Sequence, residues 1–173
     1  MQYIAFLRGI NVGGNHRVKM EDLRRSVSEL GLKDVQTYIQ SGNILFSSEA
    51  DESDLYEKLE KHLEATFGFR IPVILRTQTE LESILANAPF DPNDLDYSHQ
   101  FITLFRDPID FALPADPPKG GCAYLSKTER EVYSWWWKVD GKYNVPNPPK
   151  SMHSATARNR KVLIAICDML THE

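Results

Sequence analysis

Apolar positions recur along this chain in two rhythms, and the order of those rhythms predicts a fold. Residues 3 to 8, YIAFLR, are a short apolar run bounded by Gly9, with the length and aromatic content of a buried strand. Met20, Leu23, Val27 and Leu30 then recur at helical spacing, with Glu21 and Asp22 in the first turn and Gly31 at the stop, which predicts a helix of about three turns. Val35 to Ile39 alternates as a second strand, Gln40-Ser41-Gly42-Asn43 reads as a polar turn, and Ile44 to Phe46 begins a third strand, so the pair forms a hairpin. After the acidic stretch 49 to 54, Leu55, Leu59, Leu63 and Phe67 fall four apart on one helix face that stops at Gly68. Pro72 to Arg76 supplies a fourth strand, with proline where its missing N–H does no harm. The order is the ferredoxin-like βαββαβ arrangement, expected over residues 1–77 of an α+β protein.

Residues 78–173 predict a second, smaller α+β half packed against the first. Thr79 and Glu82 fit a capping box for a short helix through Leu81, Ile84 and Leu85 that ends near Pro89. Phe101 to Phe105 alternates as a strand, and Asp107 to Gly121 is a proline-rich connection of a length that is usually functional or mobile. Strands follow around Cys122 to Leu125 and over Glu131 to Val139, then a basic, proline-rich loop over 140 to 153. A last helix is expected to begin near Ser154 or Thr156 and to bury Val162, Leu163, Ile166, Cys167 and Leu170. Its first turn then carries Arg158, Asn159, Arg160 and Lys161, a positive cluster that opposes the helix dipole and favours an anionic partner unless the face is simply solvated.

The ferredoxin-like order makes strands one and three antiparallel neighbours, so it brings the loop Arg8-Gly9-Ile10-Asn11-Val12-Gly13-Gly14-Asn15 beside the turn Gln40 to Asn43. The first helix opens at the same edge, with unpaired backbone N–H groups and a partial positive charge, and Arg8, Arg17 and Lys19 lie near in sequence. Glycines let a backbone approach a ligand closely, although in loops they more often serve turns that need positive φ, and Asn15 and Asn43 are ordinary turn residues. The stretch is neither a GK[ST] phosphate loop nor a GxGxxG fingerprint.

Composition removes classes rather than naming one. At 173 residues and 42% hydrophobic, the chain can bury a core without disulfide or metal. Cys122 and Cys167 sit in no metal-ligand spacing, which points to a reduced compartment and leaves a structural disulfide as the lesser alternative. No apolar run approaches the roughly 20 residues that span a bilayer and no basic leader precedes an apolar one, so a soluble cytoplasmic protein with no membrane partner is expected. The net charge of -4 conceals +2 over residues 1–40, -10 over 41–118 and +4 over 119–173, which forms a positive patch if the two ends meet and is otherwise solvated surface. The five histidines show no HExxH spacing and the serines no GxSxG elbow, so neither a metal nor a cofactor is expected and catalysis stays undecided. His16, in the glycine loop, and His153, before Thr156, read as surface residues before they read as an acid or base. Trp135, Trp136 and Trp137 invite base stacking, but adjacent residues of a strand point to opposite faces, and packing is the preferred reading, with Trp136 the one to examine for exposure.

RGINVGGN (Arg8 to Asn15), TYIQSGN (Thr37 to Asn43) and TARN (Thr156 to Asn159) together resemble the bacterial family named domain of unknown function 1697, and the match runs from the first strand to the last helix. The resemblance implies a two-part α+β protein with a ferredoxin-like N-terminal half, and it carries no activity. It gives weight to polar loop positions, so the expected ligand-binding set is Arg8, Asn11, Gly13, Gly14, Lys19, Gln40, Ser41, Asn43, Thr156, Arg158 and Asn159. The chain departs from the family at Arg160, where members often carry Trp. The expected function is binding of a small anionic or nucleotide-like ligand between the loop edge and the TARN segment. One alternative is single-stranded nucleic-acid binding on the sheet, against which YIAFLR and NILFSS lack the RNP1 pattern and the net charge is negative. The other is an oligomerising scaffold without ligand, for which sheet edges suffice.

Overall fold

The first-half rhythms become the elements they imply: β1 (Gln2–Leu7), α1 (Met20–Ser28), β2 (Lys33–Tyr38), β3 (Asn43–Ser47), α2 (Glu52–Phe67) and β4 (Val73–Thr77). The computed structural model describes residues 1–116, 120–143 and 155–171. The four strands form one antiparallel sheet in the order β2-β3-β1-β4, the order that two interleaved βαβ units require. Tyr3, Ala5 and Leu7 of β1 share a face with Ile44, Phe46, Val73 and Leu75, and that face forms one core with Leu23 and Val27 of α1 and Leu55, Leu59 and Leu63 of α2. Ile4, Phe6, Leu45, Ile74 and Arg76 on the opposite face are equally buried. Burial on both faces is why β1 reads as a continuous apolar run rather than an alternation.

The second half contributes α3 (Gln78–Ala86), a 3-10 turn (Tyr97–His99), β5 (Gln100–Phe105), β6 (Cys122–Lys127), β7 (Glu131–Trp136), the short pair β8 (Lys138–Val139) and β9 (Lys142–Tyr143), β10 (Ala155–Asn159) and α4 (Arg160–Thr171). Its antiparallel sheet runs β10-β5-β7-β6, so the protein is α+β with two four-stranded sheets. The chain divides into Met1–Leu81 with Met169–Glu173 as one unit and Glu82–Asp168 as the other. Ile109, Phe111 and Leu113 of the long connection pack against Phe105 and Val132, so this part of it covers a core.

Several local expectations shift. The capping box falls two residues earlier, where Thr77 Oγ1 accepts from the Glu80 N–H at 3.2 Å and Glu80 Oε2 accepts from the Thr77 N–H at 2.8 Å. The tryptophan strand ends at Trp136, and Lys138 to Tyr143 turns back on itself through Asp140 and Gly141, both at positive φ as a type I′ hairpin turn needs. Trp136 is half-buried, stacked on Phe101 at 4.0 Å with its indole N–H donating to Ser134 Oγ at 2.9 Å, while Trp137 is the exposed one. The last helix begins at Arg160 rather than at Ser154 or Thr156. Ala155 to Asn159 pairs residue for residue with Phe105 to Phe101, and five ladder positions outweigh the capping preference of a threonine. Ser154 and the proline-rich residues 144–153 lie outside the described residues.

The junction of β3 with β1 sets the tightest requirement of the first sheet. Gly42 has φ 81°, and a Cβ there would lie 2.6 Å from Ile10 Cδ1 and 2.9 Å from Leu7 Cβ. Gly13, at φ 62°, has open space around it. Gly42→Ala is expected to destabilise the protein by about 2–4 kcal/mol, combining backbone strain with overpacking, whereas Gly13→Ala costs about 1 kcal/mol from strain alone. Urea unfolding of both variants measures the difference.

Candidate functional site

Beyond β1 the chain makes a closed loop. Gly13 and Gly14, at φ 62° and 80°, turn Val12 onto Asn15 in the geometry of a type I′ turn. The Asn11 N–H donates to the His16 carbonyl at 3.0 Å. The Asn11 side chain then fastens the loop at both ends: Oδ1 accepts from the Val18 N–H at 2.9 Å, and Nδ2 donates to the Val18 carbonyl at 3.0 Å and the Gln40 carbonyl at 2.8 Å. The imidazole of His16 stacks on Phe69 with centroids 4.2 Å apart, so this histidine is tied down by a ring contact. In the facing turn, buried Asn43 donates through Nδ2 to the Tyr38 carbonyl at 2.8 Å and to Ser41 Oγ at 3.2 Å. Asn11 and Asn43 are thereby engaged in holding the backbone.

A groove of about 460 Å³ opens beside this frame, lined by Asn11, Gly14, Arg17, Val18, Lys19, Met20 and Gln40. Of the expected residues in this unit, Asn11, Gly14, Lys19 and Gln40 line it, and Arg8, Gly13, Ser41 and Asn43 do not. Arg17 joins the lining; sequence proximity had marked it only as a neighbour. The exposed side chains of Arg17, Lys19 and Gln40 have no partner among the described residues, nor has that of half-buried Arg8. Lys19 is the N-cap of α1 and makes no side-chain capping bond, so first-turn N–H groups stay available. Glu21 and Asp22 in that turn offset part of the positive charge, and Asp22 is paired with Arg25 at 2.7 Å. A larger open groove of about 570 Å³, lined by Glu21, Arg24, Arg25, Ser28, Glu29 and Val35, mixes both signs of charge and contains none of the motif residues.

Thr156, Arg158 and Asn159 make bonds within their own unit. Thr156 and Arg158 are buried, and the Arg158 guanidinium donates to Thr156 Oγ1 at 2.8 Å and the Ala157 carbonyl at 2.9 Å. Burial brings the Arg158 pKa down to about 10, so it is still charged at neutral pH. Asn159 Oδ1 accepts from the Val162 N–H at 2.9 Å and caps α4. Arg160 donates to Gln100 Oε1 at 3.0 Å and lies 5.0 Å from the Tyr97 ring centroid and 5.8 Å from that of Phe90. Arg158 and Asn159 lie in β10, so the first turn of α4 keeps Arg160, held over aromatic rings, and Lys161 from the positive cluster expected there.

A metal centre, a serine–histidine pair with a free base and an activated Cys122 thiol are not formed among the described residues. No group of three His, Cys, Asp or Glu residues is placed to hold a metal ion. Ser26 Oγ and His62 Nε2 stand 2.8 Å apart, but the same ring nitrogen is 2.8 Å from the Ser26 carbonyl. A nitrogen facing a carbonyl is a donor, so it does not take a proton from the hydroxyl, and Ser26 is buried. The two cysteines are free. Desolvation, with Asp116 adding to it, pushes the buried Cys122 thiol up to about 11, the reverse of an activated nucleophile. No described helix is long and apolar enough to cross a membrane.

An α+β protein of two four-stranded antiparallel sheets, with a polar groove at a glycine loop, is the class these features define. The chain belongs to the family described as Protein of unknown function (DUF1697), which matches residues 1–119. The match covers RGINVGGN and TYIQSGN and stops short of TARN. Among solved structures, it is similar to one described as the structure of conserved bacterial protein SP0830 from Streptococcus pneumoniae, at 26% identity and a TM-score of 0.71 over 98% of each chain. Comparison with curated proteins gives no match.

Two outcomes test this account of the side chains. Asn11→Gly, which keeps the positive φ and removes the amide, is expected to lose about 2 kcal/mol of stability in urea unfolding, because carbonyl and N–H groups are left without their partner. Cys122 is expected to resist a thiol reagent at pH 8 in the native protein and to react once unfolded. Because its folded pKa is raised, its contribution to stability is intact below pH 9 and is lost as pH rises through about 11.

Proposed function

We propose that the protein binds a small anionic or nucleotide-like ligand in the groove beside the glycine loop. The observation that carries this reading is the meeting of Arg17 and Lys19, cations without a partner among the described residues, with Gln40 and the uncapped start of α1 on one groove. Cationic side chains and open backbone N–H groups are the donors an anion recognises. The glycine turn and the Asn11 bonds support the same reading, because they hold the wall of the groove in place before a ligand arrives.

The alternatives have less to stand on. Base stacking on the first sheet needs an open aromatic face, and both faces of that sheet are buried. Assembly through the sheet's edges needs unpaired strand groups. In β4 the Val73 N–H is taken by Glu60 Oε1 at 3.0 Å and the Leu75 N–H by Tyr56 Oη at 3.0 Å, while β2 carries an irregularity between Lys33 and Gln36.

Phosphate, sulfate and a panel of nucleotides are expected to raise the melting temperature and to shift the amide resonances of Gly14 and Gln40, which line the groove. Arg17→Ala and Lys19→Ala should each weaken binding by about three- to tenfold, as suits exposed charges. No response to any of the panel sinks the reading.

A further inference from the structure

We draw no further inference here: the strongest candidate, the half-buried face of the second sheet where the ring of Phe101 stacks on that of Trp136 at 4.0 Å, carries nothing because nothing in the structure shows what covers it.

Discussion

The first unit depends on the absence of one side chain. Where β3 begins beside the end of β1, the Gly42 carbonyl accepts from the Leu7 N–H at 2.8 Å, and Ile10 closes over the glycine so tightly that a Cβ would sit 2.6 Å from its Cδ1. The contact registers β1 against β3 and seals the end of the core with a buried isoleucine. It also fixes where the loop after Ile10 departs. Everything after it in the loop, from Asn11 to Lys19, is placed relative to that seal.

Asn11 carries the constraint outward. Its amide holds Val18 by both backbone groups and reaches Gln40 in the opposite turn, so the start of α1 and the β2–β3 connection share one anchor. Loops held at several points lose little conformational freedom when a ligand binds, and the ordering cost has already been met during folding. Arg17 and Lys19 project from this frame without being part of it. That separation, with amides spent on the scaffold and cations left at the surface, gives the groove its chemical character.

The same amides explain what could be read from the sequence and what could not. The helix stripe of Leu55, Leu59 and Leu63 and the apolar run of β1 carry their periodicity openly, and the strand order of the first sheet followed from them. Asn11 and Asn43 did not declare their role, because an amide that binds a ligand and one that binds backbone carry identical donors and acceptors; only the partner tells them apart. TARN was misread as a helix start for a related reason. Thr156 and Arg158 are buried polar residues alternating in a strand, and a pattern read from apolar positions passes over them. Asn159, the cap of α4, was placed inside the first turn instead of ahead of it. Arg17 was within sight of the glycine loop, yet nothing in its spacing separated it from any other surface cation.

Three of the sheet edges, β4, β2 and β6, are blunted by bonds or irregularities that oppose strand addition. Glu60 and Tyr56 reach from α2 to take the N–H groups of Val73 and Leu75 on β4, which serves an edge strand much as a further strand would. At the opposite edge, β2 breaks register between Lys33 and Gln36, with Asp34 at φ 54°. In the second sheet, edge strand β6 breaks register between Tyr124 and Ser126. Irregularities of this kind twist an edge away from flat pairing. Both faces of the first sheet are buried, with Arg76 among the apolar side chains of one of them, and the groove beside Asn11 is formed at the loops of that unit. Of those loops, the pair joined by Asn11 is the one that combines a fixed backbone, a groove and side chains without described partners, and this is why the chemistry of Arg17, Lys19 and Gln40 outweighs the larger groove on the outer side of α1.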